Sequence, residues 1–553
     1  MNTLLRKALC IALLSALCLV AMPLLHTHAQ SNALDVQPIA ALFPPAEFFV
    51  AIRTDRAFTD QLNAISIAVS SEFTPERIQL AQLVDVLLGQ GVYSLSRLVN
   101  ARFAALSING VEYLVDADQT NNIQASLRVV IGHGLGRLGR VTLPSLQALI
   151  GLTCDEAASP QVRCTFDQAG IFNNLTIDER HIVLLSRADD PFLPSETLGA
   201  QPDFSAALQA LPEGSYDGFA YINTPHFAGG IRYEGIREML AAVGFPTDRL
   251  AAAMLGLTLK TDGLQLDLVQ QRLVQPDPKR TALDLNFARF IPETAAIYLQ
   301  TRDFSQLTQT VAGLLGSLSA TLSSQEAYGS LQQLFRSLFR LDLEGDLLSW
   351  AQMSDYAIFI DALNVTDNPS IEQLEIGFII GSSNVQKTAA VAAAIASGLE
   401  RQLSGQANFS FGSYTLPNLS APVTRISYTD PQFGTLTFLI GNTDQFGFFA
   451  TERSLTRILE GKTLDKRLDL ARLQRYLLPQ PNIMLHADAD NATRFLFAAA
   501  ESLARISRAQ LNSLPPPNSW LEGRSQRFER AVISVDEGAE GQARLRLFLS
   551  ILN

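Results

Sequence analysis

Short apolar runs separated by turn residues fill the chain, and one arrangement of them is written twice. "LFPPAEFFVAIRTDRAF" at residues 42 to 58 and "FIPETAAIYLQTRDF" at 290 to 304 both set a proline, an apolar run, an aspartate and the start of a helix-spaced apolar stripe in that order. Pro292 disfavours helix in the residue before it, "AAIYLQT" is rich in strand formers, and Asp303 stands where a carboxylate caps the first turn of a helix. Gln306 completes a capping box, and Phe304, Leu307, Val311 and Leu314 share one helical face. The first copy predicts the strand "FFVAIRT", the cap Asp55 and a helix face of Phe58, Leu62 and Ile65. Fainter copies run from Pro212 through "YDGFAYIN" to Thr224 and Pro225, and from Pro479 through "NIMLHAD" to Asp490. The distance from proline to cap is 11 residues in three copies and 12 in the copy at Pro212.

Between these phrases other segments pair in the same order. "EYLVDADQTNNIQASLRVVIG" from 112 answers "YAIFIDALNVTDNPSIEQLEIGFIIG" from 356, "VTLPSL" at 141 answers "YTLPNL" at 414, and "VRCTFDQAGIFNNLTIDERHIVLLS" answers "VTRISYTDPQFGTLTFLIGNTDQFGFFAT" as a second meander. Each half closes on a predicted hairpin, turning at Asp262-Gly263 in one and Glu537-Gly538 in the other. Hairpin connections need no crossover helices. The expected class is α+β: two duplicated halves, each mainly antiparallel sheet with helices packed on one face. The expected domains are 31–275 and 282–553, joined by a Pro-rich linker at 276–281.

The N-terminus changes the picture by assigning a compartment. Arg6 and Lys7 precede an apolar run from Ala8 to Leu25, and Thr27-His28-Ala29 supplies small residues for cleavage, so residues 1–29 read as a secretory signal peptide. The run is also long enough for an uncleaved N-terminal membrane anchor, the minority reading. Cleavage removes two basic residues and leaves 40 against 54 acidic, a net charge of −14 with no further membrane span expected. That balance argues against nucleic acid and against docking on anionic lipid. A secreted or extracytoplasmic envelope protein with a solvated acidic surface is the expectation.

The run "LFRLDLEGDLLSWAQMSDYAIFIDAL" at 338 to 363, with the repeated phrase ahead of it and the signal at the N-terminus, resembles a bacterial extracytoplasmic family catalogued as domain of unknown function 3352. The resembling motif is Leu-Asp-Leu-x-x-Asp-Leu-Leu-x-Trp before a strand. The first half departs from it, because "LGQGVYSLSRLVNARFAALSI" has neither the acid pair nor the tryptophan. The resemblance implies no activity.

Candidate chemistry is sparse. Gly134, Gly136 and Gly139 have dinucleotide spacing after a predicted strand, but no helix opens at Gly139 before Pro144, so they read as a glycine loop and no cofactor is expected. The loops from Asp116 and Asp488 alternate oxygen side chains, yet Asn121 and Thr493 stand where a calcium loop needs glycine, and Leu127 and Ala499 where it needs glutamate. Asp342, Glu344 and Asp346 precede "LLSW" and read as first-turn acids favoured by the helix dipole, not as catalytic carboxylates. His133, His181, His226 and His486, the four histidines of the exported chain, include no pair at helix-turn spacing. No catalytic, cofactor-binding or metal-ligating residue is therefore assigned.

Cys154 and Cys164 are the two cysteines left after cleavage, and "LTCDEAASPQVRCTF" folds them toward each other around Ser159-Pro160, so a disulfide is expected between them. Three functions stand in order: a non-catalytic scaffold acting through surface binding to an envelope protein; a carrier of a hydrophobic small molecule or lipid; and an envelope-polymer hydrolase, for which convergent titratable groups are lacking.

Overall fold

The computed structural model describes residues 33–551 except 59, 61–100, 116–120, 135, 137–151, 156–160, 168–171, 188–189, 224–249, 261, 273–281, 303–323, 349–353, 362–374, 383, 420, 432–433, 489–490, 493–527 and 539–541. The expected signal peptide at 1–29, the linker at 276–281 and the caps Thr224, Asp303 and Asp490 lie outside the described residues. The chain divides into two compact units. One takes Met1–Leu240, Pro246–Gln275 and Glu540–Arg544; the other takes Ala241–Phe245, Pro276–Ala539 and Leu545–Asn553.

The first unit carries α1 (Val36–Ala40), β1 (Phe48–Arg53), β2 (Phe103–Val115), β3 (Asn121–Gly132), β4 (Leu152–Asp155), β5 (Val162–Phe166), β6 (Asn174–Ile177), β7 (His181–Leu185), α2 (Pro202–Ala210), β8 (Gly218–Asn223), β9 (Leu250–Lys260) and β10 (Gly263–Arg272). Hydrogen bonding orders the strands β4-β5-β6-β7-β3-β2-β1-β8-β9-β10, every pair antiparallel. β1 is the strand expected from "FFVAIRT". Its alternation sends Phe49 and Ala51 into a core with α1 and α2, where Phe49 meets Phe43 and Phe204 edge-on at 5.1 and 5.9 Å. Asp55 accepts from the Phe58 N–H at 3.1 Å, the cap expected after that strand. The closing hairpin turns at Asp262 with Gly263 opposite Lys260.

The second unit carries β11 (Ala295–Thr301), α3 (Ser324–Leu334), β12 (Tyr356–Asp361), β13 (Glu375–Gly381), α4 (Val385–Leu403), β14 (Phe409–Tyr414), β15 (Val423–Asp430), β16 (Gly434–Asn442), β17 (Phe446–Thr451), α5 (Glu452–Leu459), α6 (Leu464–Arg467), α7 (Leu470–Gln474), β18 (Ile483–Asp488), β19 (Phe528–Gly538) and β20 (Gln542–Ile551). Its strand order is β14-β15-β16-β17-β13-β12-β11-β18-β19-β20, the first unit's order with ten added to each number. β19 runs through Gly538, and the residues between it and β20 lie outside the described ones.

Helices cover both faces of the second sheet, which corrects the expectation of helices on one face. Tyr298, Phe359, Ile379, Phe448 and Ala450 pack with Leu455 and Ile458 of α5 and with Leu464 and Leu473 beyond it. On the opposite face Tyr356 and Ile380 meet Tyr328 and Val391, and Ile426 and Ile440 meet Ala396 of α4. The cause lies in the strands: β17 reads "FGFFAT" and β13 "EIGFIIG", apolar on both sides, so each face needs a cover. α4 is capped by Asn384, whose side chain accepts the Lys387 N–H at 3.1 Å. Gly398 lets it approach the chain at Leu338, because a Cβ there would stand 2.5 Å from the Leu338 carbonyl oxygen. Among the described residues no helix is long and apolar enough to cross a membrane.

Candidate functional site

A cleft of about 510 Å³ opens in the second unit between α5 and the start of β16. Glu375, the first residue of β13, lines it, and the last residue of β12 lies beside that acid. Asp361 and Glu375 stand directly opposite each other in that register, and both are buried. Two buried carboxylates on one strand pair need partners, since an uncompensated charge in the interior is strongly unfavourable.

The partners come from α5 and its approach. β17 stops at Thr451, and the helix that follows buries Leu455 and Ile458 while Arg453 and Arg457, one turn apart, line the cleft. Thr451 makes no side-chain cap to its own helix. Glu375 does that work from the neighbouring strand: its Oε2 accepts the Thr451 hydroxyl at 2.5 Å, the Ser454 N–H at 3.2 Å and the Ser454 hydroxyl at 3.1 Å. A carboxylate in the first turn also meets the positive end of the helix dipole. Arg453 lies 3.8 Å from the other oxygen of Glu375. At the second acid, the Thr294 hydroxyl donates to Asp361 Oδ2 at 2.7 Å, while Arg457 donates to Thr294 Oγ1 at 2.6 Å and lies 3.8 Å from Asp361.

The wall holds Thr435 and Thr437 of β16, whose hydroxyls pair with Thr429 and Ser427 of β15 at 3.1 Å. Glu452, Glu460 and Lys462 complete the rim, Lys462 bonding Glu460 at 2.8 Å, and Leu436 is the one apolar side chain among the lining residues. The site is thus mixed in charge, rich in hydroxyls and braced by acids that are already engaged. Ser454 donates to a carboxylate and is buried, a poor position for a nucleophile.

A second buried network lies at the head of β12. Asp355 accepts the Asp284 N–H and the Gln300 amide, both at 2.8 Å, and pairs with Arg302. Burial pushes the Asp355 carboxyl above its ordinary value even though Arg302 pulls the other way. Tyr298 donates to Gln300 in the same cluster.

The residues singled out in the sequence take other places. Cys154 and Cys164 face each other on β4 and β5 and are bonded at an S–S distance of 2.04 Å. Asp342 accepts the N–H groups of Glu344 and Gly345 at 3.1 and 2.8 Å, and Asp346 accepts the Asp342 N–H at 2.7 Å, so these acids cap the short helical turn Leu343–Leu348. The Gly345 N–H and the Arg336 guanidinium hold Asp342 below the usual carboxylate range. Asp488 accepts the Asn491 N–H at 3.0 Å and pairs with Arg467, while Asp116 lies outside the described residues. β3 ends at Gly132, Gly136 takes a positive φ of 56°, and Gly139 is outside the described residues.

His133 and His181, far apart in sequence, are brought together beside Asp178. His133 Nε2 lies 3.0 Å from the Asp178 carbonyl oxygen and His181 Nδ1 3.3 Å from its carboxylate. Burial holds His133 below its ordinary value. Asp178 is pushed up by burial but held lower overall by His181 and the Arg180 N–H. His486 is buried in β18, and His226 is outside the described residues. Among the described residues no cluster of three metal-ligating side chains forms.

The family model described as protein of unknown function (DUF3352) matches residues 181–514, more than half of the chain and the whole of the cleft. The chain belongs to this family. No curated protein matches it. Among solved structures, crystal form IV of TP0453 aligns over 42% of this chain and 79% of its own at 11% identity, with a TM-score of 0.25. Crystal form III aligns over 49% and 90% at 11% identity, with a TM-score of 0.24. Likeness at that score supports no inference from TP0453 to the DUF3352 chain.

Proposed function

We propose that this DUF3352 protein is an exported, internally duplicated, non-catalytic envelope or secreted protein that works by binding, with the cleft beside α5 as its recognition surface. The single observation behind the reading is that the buried acid lining the cleft, Glu375, and its strand neighbour Asp361 are consumed as structure. Glu375 serves as the cap of α5 and Asp361 holds Thr294, so what faces an incoming molecule is a rim of both charges and threonine hydroxyls. Such a rim suits a polar ligand and offers a hydrophobic carrier little, given one apolar lining side chain. Duplication is supported by the two strand orders, which differ only by ten in every number. Export is supported by the N-terminal charge and hydropathy pattern and by the cysteine pair.

The test is thermal shift of the full exported chain against muropeptides, envelope oligosaccharides and inorganic phosphate, repeated with Arg453→Glu and Lys462→Glu. Stabilisation by one polar class, lost in the variants, supports the reading. Turnover of any of these probes, or recovery of a stoichiometric lipid by organic extraction, overturns it in favour of a hydrolase or a carrier.

A further inference from the structure

We propose that β14 is a self-association edge, at which two copies of this chain pair their Phe409–Tyr414 strands antiparallel about a two-fold axis.

β14 is the outermost strand of the second unit, bonded to β15 through all six residues, Phe409 opposite Tyr428 to Tyr414 opposite Val423. Among the described residues no other strand reaches its outer side. An open edge is a template for pairing, and proteins blunt it with charge, proline, brevity or a covering segment. Sequence "FSFGSY" has none of the first two and is six residues long. The outermost strand of the first unit, β4, shows the contrast: it is four residues long and ends on Asp155.

The occupant follows from the strand itself. A two-fold axis normal to the sheet keeps each face on its own side, so residues that meet must share a face. Phe409 and Phe411 lie on the α4 face, while Tyr414 packs toward the opposite core. The register that sets Phe411 opposite Phe411 also sets Phe409 against Ser413 and Ser410 against Gly412, where the space beside the missing Cβ is open. It makes an aromatic cross-strand pair and places a side chain over a glycine, and both support a strand pair. Of the neighbouring same-face registers, the one with Gly412 opposite itself makes no aromatic pair, and the one with Ser410 opposite itself pairs Phe409 with Phe411 but faces only three residues of each strand, against five in the Phe411 register. Charge agrees with a second copy as the partner: the chain carries a net −12, and this strand is a stretch of its surface without a charged side chain.

The experiment is sedimentation velocity of the full exported chain from about 1 to about 100 μM, the range that reads a micromolar Kd. The comparison is Ser410→Lys with Ser413→Lys, both at exposed positions. Dimer in the parent chain and a Kd raised more than about tenfold in the double variant, with an unchanged melting temperature, is the expected result. Register is read by oxidation: Phe411→Cys should cross-link two copies and Ser410→Cys should not. A parent chain that stays monomeric overturns the proposal, whether the β14 amides exchange fast or are protected by another segment of the same chain. A dimer that persists in the double variant places the interface elsewhere and equally overturns it.

Discussion

Arg53 donates through Nη1 to Asp217 Oδ1 at 2.7 Å, and both side chains are almost fully buried. Its backbone N–H meets the carbonyl of the same aspartate, the residue that heads β8. Arg302 holds the equivalent place in the second unit, its N–H on the carbonyl of Asn482 at the head of β18, yet its side chain turns to Asp355 at the head of β12. One strand end thus carries an arginine in each unit, answered by an acid from the strand on one side or the other.

Removing the acid should therefore hurt more than its surface would imply. Asp217 also accepts the Leu259 N–H at 2.8 Å, so Asp217→Ala leaves a buried guanidinium and an orphan amide, with Asp55 as the remaining partner of Arg53 at 2.7 Å. The expected loss is about 3 kcal/mol. Asp217→Asn, which keeps an acceptor, should lose clearly less. Urea unfolding followed by circular dichroism compares them, and equal losses would mean that the retained acceptor contributes nothing and that the charge carries the whole effect.

His486 gives the second unit an acid sensitivity. It lies between Tyr298 of β11 and Val532 of β19, neither ring nitrogen has a partner among the described residues, and burial holds its pKa down to about 3, with Arg530 and Arg467 adding to the effect. A folded pKa below the unfolded value of about 6.5 means that the unfolded chain binds the proton first as pH falls. The contribution is whole above pH 6.5 and is lost progressively toward pH 3, reaching about 3 kcal/mol at pH 4. His486→Phe should flatten stability between pH 7 and pH 4. An unchanged slope would show that other groups carry the acid response.

The local features were readable in the sequence. "AAIYLQT" coincides with β11, and Asp55 caps the turn that follows β1, because strand propensity and capping act over a few residues. Alignment between the two halves was less secure. Counting from proline to cap sets Arg53 beside Thr301, whereas strand pairing sets it beside Arg302, because β11 takes an extra residue at a bulge between Ala295 and Ile297. The cleft was not readable at all. Arg453 and Arg457 lie on the polar side of a legible amphipathic helix, but that they meet Glu375 and Asp361 depends on the register of β12 against β13 across a long connection.

The last prediction concerns Glu375, which joins that register to the helix. Thr451 and Ser454 are buried, and their two hydroxyls and the Ser454 N–H all converge on one carboxylate oxygen. Glu375→Ala removes three hydrogen bonds at once, although the Thr451 hydroxyl keeps the Ile376 carbonyl at 3.3 Å and Ser454 Oγ at 3.1 Å as alternative acceptors. Relaxation lets some of the donors find water through the open cleft, so the expected loss is about 3 kcal/mol, below the sum of three full desolvation penalties. Glu375→Gln retains an acceptor and should lose about 1 kcal/mol. Hydrogen exchange supplies the local readout: the amide of Ser454 should lose protection in the alanine variant and keep most of it in the glutamine variant. If the Ser454 amide stays protected in Glu375→Ala, the cap comes from elsewhere, and the carboxylate is left available to whatever enters the cleft.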